Sequence, residues 1–92
     1  MKNFLVTYDL DSPGQKYEEL IKAIKTYKCV KVTESCWLVR SAKSFKDIRD
    51  HLVTKMDKND RLYVTTLASG ASWQNAITAS DTIIKFLHGE LD

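Results

Sequence analysis

Two carboxylates follow a short hydrophobic segment at the start of the chain. Apolar residues dominate positions 2–10, Asp9 and Asp11 close the segment, and residues 12–14 are Ser-Pro-Gly. If a strand continued through Asp11, both carboxylates would lie on one face, where they could bind Mg²⁺, which prefers oxygen ligands. The alternative is that Asp9 is a solvated strand end and Asp11 belongs to a turn, for which proline and glycine are typical.

A second set of polar and aromatic residues surrounds a predicted turn at residues 34–35. A hydroxyl at Ser35 could position a water molecule or a phosphate, and an exposed Trp37 could stack on a base. Alternatively, Trp37 belongs to the core and Ser35 is a turn hydroxyl. Arg61, at the start of a predicted strand, is a candidate phosphate ligand or the partner of a nearby acid.

Cysteine and histidine chemistry has little support in the sequence. Cys29 and Cys36 have neither a second cysteine pair nor a histidine at zinc spacing, so we expect reduced strand residues. The chain has no Gly-x-Ser-x-Gly motif, and we expect His51 and His88 at the surface rather than as general bases. Neither residue type therefore indicates a zinc site or a nucleophilic catalytic site.

Length and composition indicate one soluble domain over residues 1–92. Hydrophobic residues make up 43% of the chain and charged residues 28%, and no apolar run approaches the ~20 residues of a membrane helix. Met1 leads into a strand pattern without a signal-peptide core, so we expect a cytoplasmic protein without membrane contact. The net charge of +2 is too small to indicate nucleic-acid binding by itself.

The hydrophobic pattern predicts an α+β, ferredoxin-like domain with the element order βαββαβ in residues 2–67. Ser44 is expected to cap the second helix. Residues 68–92 form an extension whose short helix, capped by Ser80 and stopped by Gly89, covers the open face of the sheet or docks on a partner. The predicted strands are residues 2–10, 29–33, 36–40 and 61–67, and the predicted helices are residues 15–27, 44–56 and 80–87. The expected apolar face of the second helix comprises Phe45, Ile48, Leu52, Val53 and Met56.

Three short motifs, in this order, resemble those of one protein family. Val-Thr-Tyr-Asp closes the first strand at residues 6–9, Glu-Ser-Cys-Trp lies at the hairpin at residues 34–37, and Asp-Lys-Asn-Asp-Arg-Leu leads into the fourth strand at residues 57–62. The chain resembles the second CRISPR-associated core protein, the small ferredoxin-like dimer of the spacer-acquisition machinery, and especially its stand-alone relatives. The family's usual C-terminal strand, which pairs with the partner's sheet, is not evident after Leu67.

The resemblance implies a homodimer that binds DNA or RNA. Asp9 matches the acid that binds a divalent metal near the dimer axis in members that are metal-dependent endonucleases, and Ser35 matches the hairpin serine beside it. Other members are non-catalytic bridges that hold double-stranded DNA between integrase subunits. An integrase-type partner protein is therefore also implied.

Two hypotheses about function result. In the first, the protein is a nucleic-acid-binding endonuclease in which Asp9 of each subunit holds Mg²⁺ and Ser35 supports it. Lys31 or Arg40 then holds the phosphates of the bound strand. In the second, the protein is a non-catalytic homodimeric assembly module, and the acids are turn residues.

Overall fold

The computed structural model describes residues 1–11, 17–68 and 70–89. In that part of the chain it shows a small α+β structure, with a four-stranded antiparallel sheet and three helices, compatible with a ferredoxin-like fold. The elements are β1 (Lys2–Asp9), α1 (Tyr17–Ile24), β2 (Lys28–Thr33), β3 (Cys36–Ser41), α2 (Phe45–Val53), β4 (Arg61–Thr66) and α3 (Ser80–Leu87). Among these residues, no helix is long and apolar enough to cross a lipid bilayer.

The sheet has the strand order β2-β3-β1-β4, so β1 is central and β4 forms one edge. Thr7 lies opposite Cys36 on β3 and opposite Tyr63 on β4. This register brings three chain segments to the same end of the sheet: the end of β1, the turn between β2 and β3, and the start of β4. Asp9 lies at that end.

The first face of the sheet packs against α1 and α2. Side chains alternate along a strand, so Phe4, Val6 and Tyr8 of β1 all point to this face, and all three are buried. The helices fill the space above them with apolar residues spaced one helical turn apart. The main helix contributions to this core are Leu20, Ala23, Ile24, Ile48 and Leu52.

The second face packs against α3 over part of its area. Ile83 and Phe86 of α3 are buried against Val30 and Leu38 of the sheet, with Leu5 packed beside them. Of the two roles predicted for this helix, covering the open face is the one that the structure shows. Helix α3 thus packs against residues of β1, β2 and β3.

Two predicted helix ends were wrong by about one turn. The first helix ends at Ile24 rather than Tyr27, because the amides of Thr26 and Tyr27 turn back onto carbonyls only three residues earlier. Its predicted start lies outside the described residues. The second helix likewise ends at Val53 rather than at residue 56.

The predicted apolar face of α2 was too wide. Phe45 is 55% exposed and Val53 is 50% exposed, because each lies at one end of the helix, outside the buried stripe. Ser44 caps α2 as expected: its Oγ accepts the amide of Asp47 at 3.1 Å. Ser80, by contrast, is the first residue of α3 and not its cap, and its Oγ accepts the indole N–H of Trp73.

Candidate functional site

Asp9 ends β1 directly opposite Arg61, the first residue of β4. The Asp9 Oδ2 atom lies 3.2 Å from Nη1 of Arg61, and the two side chains are 71% and 83% exposed. Of the two roles that the sequence left open for Arg61, the structure shows the ion pair with a nearby acid. Exposed pairs of this kind typically contribute only ~0–1 kcal/mol, so an incoming phosphate can replace Asp9 at little cost.

Tyr63 lies on the same face of the sheet, two residues beyond Arg61. Its cross-strand partner is Thr7, a small residue that leaves the ring uncovered, and Tyr63 is 65% exposed. We call the surface formed by Thr7, Asp9, Arg61 and Tyr63 the β1–β4 patch. It borders an open depression of about 250 Å³ whose remaining lining residues are Tyr8 and Leu62.

Ser35 reaches the same end of the sheet from the other side of β1. Its carbonyl oxygen accepts the amide of Tyr8 at 3.2 Å, which ties the β2–β3 turn to the end of β1. Asp9 therefore has the Ser35 turn on one side and Arg61 on the other. The structure brings Asp9 and Ser35 to one edge, as the resemblance implied, and their catalytic role stays a prediction.

Asp60 is a positioning residue that the sequence did not reveal. Its carboxylate accepts the amide of Asp11 at 2.7 Å through one oxygen and the amide of Asp57 at 2.8 Å through the other. These bonds hold the chain that leaves β1 against the turn that enters β4. Asp11 thus takes part through its backbone, and its side chain is exposed.

Lys31 lies on the face of the sheet that packs against α1 and α2. Its Nζ atom is 3.5 Å from the hydroxyl of Tyr17, 3.9 Å from Glu34 and 5.7 Å from the ring centroid of Trp37. A cation over an aromatic face is attracted by the ring quadrupole. Lys31 therefore contributes to local packing, and its role in phosphate binding stays a prediction.

Arg40 lies on the opposite face of the sheet from Lys31. Its Nε atom donates to Asn3 Oδ1 at 3.1 Å, Nη2 donates to the carbonyl of Phe86, and the guanidinium lies 4.5 Å from the centroid of the Phe86 ring. These contacts anchor the C-terminal end of α3, where a positive charge also suits the helix dipole. Lys31 and Arg40 do not converge on one phosphate position.

Tyr8 precedes Asp9 in β1, and its side chain points to the opposite face of the sheet, toward α1 and α2. The indole N–H of the buried Trp37 donates to the hydroxyl of Tyr8 at 3.2 Å. Burial raises the pKa of Tyr8 to about 12 and outweighs the lowering effect of that hydrogen bond. Trp37 is a core residue and presents no face to a nucleic-acid base.

His51 and Cys29 lie away from the β1–β4 patch, whereas Cys36 lies on β3 directly opposite Thr7 of the patch. His51 of α2 is half-buried rather than at the surface, and its Nδ1 atom lies 2.6 Å from the hydroxyl of Tyr27, which follows the end of α1. Burial raises the pKa of the Cys29 and Cys36 thiols, which disfavours the reactive thiolate. Cys36 therefore borders the patch as a half-buried thiol whose ionisation is disfavoured.

One chain by itself does not fit the predicted Mg²⁺ ion. No group of three or more histidine, cysteine, aspartate or glutamate side chains converges within residues 1–11, 17–68 and 70–89. Asp9 is the only acid of the β1–β4 patch, and it is already paired with Arg61. Mg²⁺ needs about six oxygen ligands, so a second chain, water and phosphate would have to supply the others.

Comparison with known proteins supports the fold. No family model matches the chain. A crystal structure of a hypothetical protein TT1823 from Thermus thermophilus is similar, with a TM-score of 0.67 and 18% sequence identity, and the match covers 84% of this chain and 95% of that chain. At this identity the similarity concerns the fold alone.

Proposed function

We propose that the protein binds nucleic acid as a homodimer through the β1–β4 patch. The observation that supports this most directly is the exposure, on one surface, of the guanidinium of Arg61 and the ring of Tyr63. A guanidinium matches the oxygen geometry of phosphate, and an aromatic ring offers a stacking surface to a base. The resemblance of the Asp9 and Ser35 segments to a nucleic-acid-binding family supports the same function.

We also assign the domain to the ferredoxin-like fold. In the strand order β2-β3-β1-β4, helix α1 joins two strands separated by β3, and α2 joins two strands separated by β1. This arrangement corresponds to a pair of split βαβ units. The cytoplasmic location and the integrase-type partner remain predictions from the sequence and the resemblance.

Mg²⁺-dependent cleavage is the catalytic part of the proposal, and it depends on Asp9. The remaining oxygen ligands must come from a second copy of Asp9, from water or from the phosphates of the bound strand. Homodimerisation is therefore a requirement for a site with two protein carboxylates. Ser35 lies beside this position through its turn.

A non-catalytic assembly module is the second candidate, favoured by the free edge of the sheet. At the β2 edge of the sheet, the amide of Ile77 donates a hydrogen bond to the carbonyl oxygen of Val32 at 3.1 Å. In the described part of the chain, no corresponding segment pairs with the outer edge of β4. Free strand edges readily pair with another chain.

Binding and cleavage can be tested separately with one pair of variants. Fluorescence anisotropy measures binding to labelled single-stranded and duplex DNA and RNA, and gel electrophoresis measures cleavage with Mg²⁺ or with EDTA. We expect Asp9→Asn to bind nucleic acid at least as tightly as the wild type, because it removes a negative charge from the patch, and to show no Mg²⁺-dependent cleavage. Light scattering should give the mass of a dimer.

Asp50→Asn is the matched control, because Asp50 also forms an exposed pair with an arginine, Arg49, at 2.8 Å. Cleavage that survives Asp9→Asn would rule out Asp9 as the metal ligand. Binding without any Mg²⁺-dependent cleavage would support the non-catalytic alternative. Absence of salt-sensitive binding to all four nucleic acids would contradict the proposed function.

A further inference from the structure

An apolar cavity of about 180 Å³ lies between the second face of the sheet and the segments that follow β4. Its floor belongs to the second core, where Leu38 and Ile83 are buried. Around the cavity lie large apolar side chains that the fold leaves only half-buried, namely Leu5, Val32, Leu67, Trp73 and Leu87. The cavity is therefore the place where the packing of α3 on the sheet is incomplete.

The chemistry of the lining favours a neutral ligand. Within the described part of the chain, the residues that line the cavity include no charged side chain. The indole N–H of Trp73 already donates to Ser80 Oγ at 3.1 Å, so it is not available to a ligand. A charged ligand would lose its hydration in the cavity without gaining a partner of opposite charge.

The volume of the cavity fits one small ring. An engineered apolar cavity of about 150 Å³ in another protein stays dry and binds benzene. The cavity beneath α3 is slightly larger, so it has room for a six-membered ring with a small substituent. Trp73 contributes to the lining, and two aromatic rings attract each other beyond the gain from burial alone. An aromatic ring is therefore favoured over an alkyl chain of equal size.

We propose that this cavity binds a neutral molecule with a single aromatic ring. The ring fills the space between Trp73 and the aliphatic side chains of the sheet and α3, and its burial adds apolar contact between the helix and the strands. Because such a ligand binds only the folded state, it stabilises the protein increasingly as its concentration rises. The cavity shares no lining residue with the β1–β4 patch, so this binding is independent of the function proposed above.

Toluene and benzoate are the probes, because they are similar in size and differ in charge. NMR spectra of the leucine, valine and isoleucine methyl groups follow each titration of the full-length chain. We expect toluene to shift the methyl signals of Leu5, Val32 and Leu87 saturably, with a dissociation constant of about 1 mM or below. Benzoate should bind at least about 100-fold more weakly, because its carboxylate would be desolvated.

Two substitutions in the lining should weaken toluene binding for different reasons. Val32→Phe places a larger side chain in the cavity, and we expect at least about a 10-fold loss of affinity. Trp73→Leu removes the aromatic neighbour, and we expect a loss of about 2- to 12-fold, the contribution of one aromatic pair. Trp73 is only half-buried, so this variant keeps the test valid if Val32→Phe does not fold. Val53→Phe is the matched control, because Val53 is 50% exposed at the end of α2 and does not line the cavity.

The affinity of Val53→Phe for toluene should equal that of the wild type. Absence of saturable shifts at the cavity methyl groups of the wild type would overturn the proposal, as would equal affinities for toluene and benzoate. Equal affinities of Val32→Phe and Val53→Phe would place the ligand elsewhere and would also overturn it. None of these results bears on binding at the β1–β4 patch.

Discussion

One face of the sheet is divided into two halves with opposite chemistry. The half formed by Leu5, Val30 and Leu38 is apolar and lies beneath α3. The other half is the β1–β4 patch, which is polar apart from the ring of Tyr63 and is exposed. The apolar half requires a cover for stability, whereas the polar half gains little from one. The position of α3 therefore follows from folding, and the exposed half is available for binding.

The largest expected effect is on the free energy of unfolding and concerns α3, the helix that covers the apolar half. Phe86 is 1% exposed in the second core, so Phe86→Ala should lower the free energy of unfolding by about 3–5 kcal/mol, as for other buried phenylalanines. Tyr63→Ala in the uncovered half should lower it by less than about 0.5 kcal/mol, as for exposed residues generally. Urea unfolding followed by tryptophan fluorescence measures both.

If Phe86→Ala does not fold, the milder Phe86→Leu should still give a measurable loss of about 1 kcal/mol. Similar losses from the Phe86 and Tyr63 variants would show that the two halves of the face do not differ in their contribution to stability. Tyr63 would then be a structural residue, and its exposure would carry no argument for binding.

The alternating pattern of the strands was sufficient to predict much of the fold. The hairpin turn at residues 34–35 and the existence of α3 followed from local sequence, because each depends on a run of residues with one period. The exposure of Tyr63 did not follow, because Leu62 and Val64 also suit a strand and only the neighbouring strands decide which face is covered. The positioning role of Asp60 depends on contact with Asp11, 49 residues away, which local patterns do not contain.

The separation of Lys31 from Arg40 was also beyond sequence reasoning. The register places Lys31 opposite Trp37, on the α1–α2 face, and a register shift interrupts β2 between Lys31 and Thr33. Arg40 meets α3 on the other face. The register of a strand determines which face each of its side chains occupies. A shift of one residue would move every side chain of that strand to the opposite face.

A smaller effect is expected from pH at the face opposite the patch. Burial raises the pKa of Tyr8 to about 12 from its ordinary value of 10.0. Because the pKa of Tyr8 is higher in the folded state, the contribution of its neutral phenol to stability is fully present below about pH 10. This contribution is lost as the pH rises toward 12. At pH 11 the expected loss attributable to Tyr8 is about 1 kcal/mol.

Urea unfolding at about pH 8, 10 and 11 measures this loss in the wild type and in Tyr8→Phe. The variant cannot ionise at this position, so its stability should fall less steeply above pH 10. Tyr27 also has a raised pKa from burial and remains in both proteins, so the difference between them isolates Tyr8. An equal decline in both proteins would show that the Tyr8 phenol is not desolvated in solution.

The smallest expected effect separates the β1–β4 patch from the remaining basic surface. Arg61 and Arg49 each form an exposed pair with an aspartate, but only Arg61 lies beside Tyr63. We expect Arg61→Gln to weaken nucleic-acid binding about 3- to 10-fold at low salt and to lower the salt slope of the binding constant by about 0.7–1, the loss of one phosphate contact. Arg49→Gln should change neither quantity.

The salt slope is more informative here than the affinity. Either substitution removes one positive charge, so a small uniform loss of affinity is expected from long-range attraction alone. A reduced slope requires that the arginine displaces a counterion by direct contact with phosphate. If both variants reduced the slope equally, the bound strand would contact α2 as well as β4, and the division of the sheet face into a covering half and a binding half would no longer describe how the protein recognises its ligand.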